Sequence, residues 1–388
     1  MSQMTQYLDS LIAGSTPQRP MWNIERWDED RPPAWNYIDG CMLKAIWDMH
    51  DATGEQHYFD FLRSYVNFFV DEHGSILGYS AADQNCDQIN EGKILFPLSE
   101  RTGDGRYVLA IERLMEQLRS QPRTPEGNFW HKRIYPNQIW LDGLYMVQPF
   151  RMAYEMKMGG ARDYQDIVRQ FETVARILRD PQTGLYYHGY DASRAAFWCN
   201  KRTGLSQNFW GRSIGWFAMA LIDTIELVDE RYFDEKMRLE AIFKDLCGAV
   251  EAVLDPETSL LYQLPALPGL EGNYLETSAS CAMAYCYMKG VRLGALPERK
   301  FAVGERMLGS VVEHKLTEVD GKLALKDICL VAGLGGMPGR GEYKLRDGSA
   351  AYYLSEPRVQ NDAKGVAPLL FAEAERLRAI DNRGGMSV

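Results

Sequence analysis

Apolar positions along the chain recur mainly with the period of a helix, not of a strand. In 37–49 the residues Ile38, Met42, Ile46 and Met49 fall near one face. The same spacing predicts helices over 108–118, 167–178, 216–227, 237–253, 279–293, 301–312 and 365–377. Strand-like alternation is scarce, and its best candidates are 185–187 and 260–263. Between the helical stretches come short segments with a turn residue followed by aromatics, at 74–79, 127–131, 183–188 and 258–263. Gly74, Gly127 and Gly184 stand 53 and 57 residues apart, a period that two helices and two turns fill. About twelve helices then fit the chain as six helical hairpins. A solenoid carries a shorter and stricter repeat, so this loose one predicts a closed barrel of hairpins. Length alone, at ~150 residues per domain, suggests two or three domains. No Pro/Gly/Ser-rich linker divides the sequence, and residues 1–388 are expected to form one domain.

Composition narrows the function. Lys and Arg number 43 against 53 Asp and Glu, a net charge of −10, and no long basic run stands against that balance. Phosphate binding needs clustered cations, so no nucleic-acid partner is expected. The 15 Phe, 9 Trp and 21 Tyr are mostly packing residues, but Trp and Tyr also supply flat faces with polar tips that stack on sugar rings. The first twenty residues lack the basic and apolar segments of a signal peptide. No apolar stretch approaches the ~20 residues of a membrane span, so no membrane partner is expected. Seven cysteines at irregular spacing without a CxxC read as reduced thiols of a cytoplasmic protein. The six histidines show no metal spacing. Neither HExxH nor a Walker loop occurs, and Gly333, Gly335 and Gly336 read as loop. No metal or cofactor is expected.

Polar and aromatic residues gather in blocks at the starts of predicted helices or in the loops before them, ends that a hairpin barrel brings to one mouth. Asp142 lies among Trp140, Leu141, Leu144 and Tyr145. Desolvation there favours a neutral carboxyl with a raised pKa, as a general acid requires; the alternative is a helix N-cap. Asp87 is a second candidate acid, with a turn or cap as its other reading. Arg212 lies between Trp210 and Trp216 and shares a helix face with Trp216. It suits a carboxylate gripped bidentately beside stacking rings, or a cation–π pair. His188 follows Tyr186 and Tyr187, and Lys132 offers charge for an acidic ligand or simply a solvated surface group.

At these blocks the chain resembles the unsaturated rhamnogalacturonyl hydrolases, glycoside hydrolase family 105. The segments that carry the resemblance are WNYIDG (35–40), FWHKRIYPNQIWLDGLYM (129–146), GLYYHGYD (184–191), GLSQNFWGRSIGWFAMALID (204–223) and YLSEPRVQNDAKGV (353–366). The resemblance implies an all-α fold, an (α/α)6 barrel with short β segments in its loops. It implies hydrolysis by hydration of the C4=C5 enol ether of a Δ4,5-unsaturated uronic acid at the non-reducing end of lyase-generated pectin oligosaccharides. It places the catalytic acid/base on Asp142 and a second active-site carboxylate on Asp87, with substrate contacts at Tyr37, Lys132, His188, Trp210, Arg212 and Trp216. The rival readings are an unsaturated glucuronyl hydrolase of family 88 acting on glycosaminoglycan fragments, a non-catalytic carbohydrate-binding barrel, and an inverting glycosidase with two carboxylates ~6.5–9.5 Å apart.

Overall fold

A computed structural model describes residues 3–28, 30–336 and 345–384. Its outer helices form because their sequences are amphipathic. Helix α1 spans Gln3–Ala13, α3 Gln56–Phe69, α5 Gly105–Arg119, α7 Tyr164–Ile177, α9 Phe233–Glu251 and α11 Phe301–Lys315. Helix α3, for example, buries Tyr58, Phe59, Leu62, Tyr65, Val66 and Phe69 on a single stripe. The helices between them lie inside and are the more extensively buried set. They are α2 (Tyr37–Thr53), α4 (Leu95–Thr102) entered through a 3-10 stretch (Cys86–Ile94), α6 (Leu141–Tyr154), α8 (Gly211–Leu227), α10 (Thr277–Arg292) and α12 (Ala363–Gly384). Each inner helix packs on the next, and α12 packs back on α2. The result is an (α/α)6 barrel in which an outer helix precedes each inner one. None of its described helices is long and apolar enough to cross a membrane.

Closure of the ring draws on both ends of the chain. Tyr7 Oη donates to Asn361 Oδ1 at 2.7 Å, Ala363 N donates to Trp22 O at 2.8 Å, and Lys364 Nζ reaches Glu25 at 2.6 Å.

The strand content is small. Three antiparallel pairs join β1 (Gln138–Trp140) to β2 (Gly189–Asp191), β3 (Leu316–Val319) to β4 (Lys322–Leu325), and β5 (Ile328–Cys329) to β6 (Arg358–Val359). The expected strands at 185–187 and 260–263 form no ladder. Each makes one bridge, Arg179↔Tyr186 and Tyr262↔Leu275. Equivalent bridges, Val70↔Ile76 and Arg123↔Phe129, follow α3 and α5, so the recurring segments are turns that lead from an outer helix to the next inner one. In two of them an aspartate accepts from a threonine three residues on, Asp180 from Thr183 and Asp255 from Thr258. Gly184 then adopts φ +75°, as the left-handed turn requires; in the second turn Ser259 takes that conformation at φ +58°.

Candidate active site

The inner helices all begin at the same mouth, and the site is assembled from their first turns. Asp87, Asp142, Arg212, Ser278 and Lys364 each occupy the second position of their inner segment. Asp142 is therefore not an N-cap, since Trp140 holds that position with no side-chain cap. Its carboxylate instead sits at the positive end of the α6 dipole. The pairing of Trp140 with Gly189 sets the next residue, His188, across from Asp142. His188 Nε2 stands 3.1 Å from Asp142 Oδ2. On the other ring nitrogen, His188 Nδ1 bonds Tyr353 Oη at 2.7 Å. Gly143 leaves the space into which His131 packs: a Cβ there would lie 3.0 Å from His131 Nδ1.

The electrostatics of Asp142 differ from the sequence expectation. Burial does push its carboxyl upward, but His188, and behind it His131, outweigh that and hold the pKa below the ordinary carboxylate value. The unliganded site thus keeps Asp142 ionised. His131 is pushed down to about 4 by burial and stacks neutral on Trp140, centroids 4.5 Å apart.

Asp87 forms the second corner. Its side chain pairs with Lys132 Nζ and lies 3.5 Å from His131 Nε2. Asn85 caps the 3-10 stretch by accepting from Asp87 N at 3.1 Å. Lys132 is thus committed to Asp87 in the unliganded site. Tyr37, the first residue of α2, lies in the fields of Glu25, Asp87, Arg212 and Asp362, and burial above all drives its phenol well up.

Arg212 is buried and pairs with no carboxylate among the described residues. It donates to Ser278 Oγ at 3.4 Å and to the carbonyls of Cys329 and Leu330, and Nε has no partner. The guanidinium lies 4.8 Å over the ring of Trp210. Trp210 is fixed by Nε1 donating to Gln263 at 3.0 Å and packs between His188 and Tyr353, centroids 4.8 and 6.0 Å away. Trp216 lies a turn deeper, 2% exposed, stacked on Tyr145 at 4.8 Å. The structure therefore gathers Asp142, His188, Trp210 and Arg212 on one side and Asp87 and Lys132 on the other, with Tyr37 in the fields of Asp87 and Arg212 and Trp216 packed beneath. Sequence reasoning missed three residues: His131 and Tyr135, which stack on Trp140 and on each other, and Tyr353. The Tyr353–His188 contact spans 165 positions, so no local signal announces it.

Chemically, the arrangement offers one carboxylate able to exchange a proton, a second carboxylate 3.5 Å from a neutral histidine, and a guanidinium held by neutral acceptors and suited to an anionic ligand. In this setting the comparisons with known proteins are informative. Residues 15–380 match the model of Glycosyl Hydrolase Family 88. The chain is 38% identical to a family 105 glycoside hydrolase of C. acetobutylicum ATCC 824, with a TM-score of 0.89 and coverage of 98% of this chain and 100% of that one. It is 39% identical over 238 residues to the 24.9 kDa protein in picA locus of Rhizobium radiobacter, covering 60% of this chain and 98% of that protein. It is 27% identical over 267 residues to the unsaturated rhamnogalacturonyl hydrolase YesR of Bacillus subtilis (strain 168), covering 67% of this chain and 72% of that one.

Proposed function

The chain belongs to the family 88/105 glycoside hydrolases, and from that premise we propose that it removes a Δ4,5-unsaturated uronic acid from the non-reducing end of lyase-generated rhamnogalacturonan-type oligosaccharides. The observation that carries the reading is the placement of Asp142, held 3.1 Å from His188 at a helix start on the same mouth as the guanidinium of Arg212. The relationship to the Bacillus subtilis rhamnogalacturonyl hydrolase favours the pectin substrate.

In the proposed reaction the substrate carboxylate faces Arg212, with Lys132 adding positive charge. A second negative charge beside Asp142 opposes its ionisation and raises its pKa, so that it carries a proton in the complex. Asp142 gives that proton to C4, and the C4=C5 electrons form the new C–H bond. The positive charge left on C5 is shared with the ring oxygen. Water then adds to C5 and returns its proton to Asp142. The hemiketal opens to a C5 ketone, and the C1 hemiacetal so exposed breaks to an aldehyde and the free hydroxyl of the neighbouring sugar. Asp87, His188 and Tyr37 orient the ring and the water. Trp210 forms a wall of the site, and Trp216 supports Arg212 from below. We further take residues 1–388 as one catalytic domain that acts in the cytoplasm, a setting that seven buried, unpaired cysteines suit.

The test is loss of the ultraviolet absorbance of the enol ether in lyase-digested pectin. The wild type should consume it, and Asp142→Asn should do so at least ~100-fold more slowly with an unchanged fold. Equal cleavage of saturated digalacturonate would refute hydration. Preference for unsaturated glycosaminoglycan disaccharides would move the substrate to that class.

A further inference from the structure

The mouth of the barrel opposite Asp142 holds a cavity of about 280 Å³. It lies among the C-terminal halves of the inner helices, and its features trace to Pro149 inside α6. Proline has no N–H, so the carbonyl of Tyr145 loses its helical donor. Lys93 Nζ replaces that donor at 2.6 Å and lies 3.5 Å over the Tyr145 ring. That leaves two ammonium donors at the cavity, and no carboxylate among the described residues pairs with them. Burial holds Lys93 down to about 7, with Asp223 the chief opposing influence, and an anion beside it would favour the charged form.

Asp223 supplies the complementary need. Its Oδ1 accepts from Tyr285 Oη at 2.6 Å and from Lys289 Nζ at 2.7 Å. Its Oδ2 is buried without a partner among the described residues, although the side chain is 4% exposed and borders the cavity. A buried carboxylate oxygen left bare costs free energy that a hydroxyl donor restores. The other lysines of the wall are already matched, Lys44 by Asp48 at 2.7 Å and Lys157 by Glu100 at 2.5 Å. Trp47 and Phe96 give the wall flat apolar faces, suited to the C–H face of a ring. At ~30 Å³ per water the volume equals about nine waters, room for a single sugar ring.

We propose that this far mouth is a binding site for a small sugar acid, its carboxylate on Lys93, a hydroxyl donated to Asp223 Oδ2 and its ring against Trp47. The site is separate from the Asp142 mouth and does not depend on the reaction assigned there.

The probe is D-galacturonate, titrated calorimetrically into the full chain, with L-rhamnose as the uncharged ring and acetate as the bare carboxylate. Galacturonate should bind saturably and more tightly than either. Lys93→Met and Trp47→Ala should each weaken it about tenfold or more, while turnover of unsaturated pectin oligosaccharides stays within about twofold of wild type. If Lys93→Met fails to fold, Trp47→Ala and a galacturonate-soaked crystal decide, with density expected against Lys93 and Asp223. Absence of saturable binding overturns the proposal. So does rhamnose or acetate binding equally well, or binding that survives both far-mouth variants and is lost in Lys132→Ala, which would place it at the near mouth.

Discussion

The charge state of Asp142 is decided by its neighbours, not by its own surroundings of apolar side chains. His188 works against desolvation, and Tyr353 Oη, 2.7 Å from Nδ1, holds the ring with Nε2 facing Asp142. Removing His188 removes the largest influence that lowers the Asp142 pKa and leaves His131 against burial, which raises it. In His188→Gln the carboxyl should therefore stay protonated to higher pH, and the alkaline limb of kcat/KM against pH should move upward. An unmoved limb would separate the two residues. Tyr353→Phe keeps the ring packing on Trp210 and loses only the hydroxyl. We expect kcat to fall about tenfold with KM little changed, as steady-state rates would show. Asp142 and Arg212 were legible in the sequence as polar groups in aromatic blocks. The low pKa of Asp142 was not, because the opposing histidine arrives from a loop 46 positions away.

Among elements, period found helices of both layers of the barrel, although it missed the one-sided α3. The expected helix at 167–178 emerges as Tyr164–Ile177, and that at 301–312 as Phe301–Lys315. Helix α6 escaped the reading because it is buried on all sides and interrupted by Pro149, which leaves no periodic stripe. The β3–β4 hairpin was missed although Asp320-Gly321 between alternating residues marks it, with both at positive φ. The recurring turns carry their own test. Gly184 is left-handed, and a Cβ there would sit 2.9 Å from Ala249 Cβ, so Gly184→Ala should cost ~1–2 kcal/mol or more. Ser259→Gly, in the matching turn, exchanges left-handed strain for chain entropy and should change stability by less than ~1 kcal/mol. Urea unfolding of the two variants measures the contrast.

At the level of the whole molecule, the ring is held at its far end by charge as well as by packing. Lys289 is 2% exposed and bonds Asp223 and Glu226 at 2.7 Å each, Arg292 joins Glu226 to Glu375, and Arg378 continues from Glu375 to Asp51. The network links α8, α10, α12 and α2. Removing one partner strands a buried charge, so Lys289→Met should lower stability by about 3–5 kcal/mol, read as a shift in the urea midpoint, whereas an isolated surface pair would cost under ~1 kcal/mol. The sequence by itself determined the helical class, the hairpin repeat and the resemblance to family 105, because period, turn chemistry and contiguous motifs are properties of neighbours along the chain. Tertiary structure alone decided that the second residues of successive inner helices meet at one mouth, that Tyr353 and His188 flank Asp142, and that Asp223 and Lys93 are left incompletely satisfied at the other. Those arrangements depend on ring closure, which joins residues hundreds of positions apart and leaves no trace in any local window.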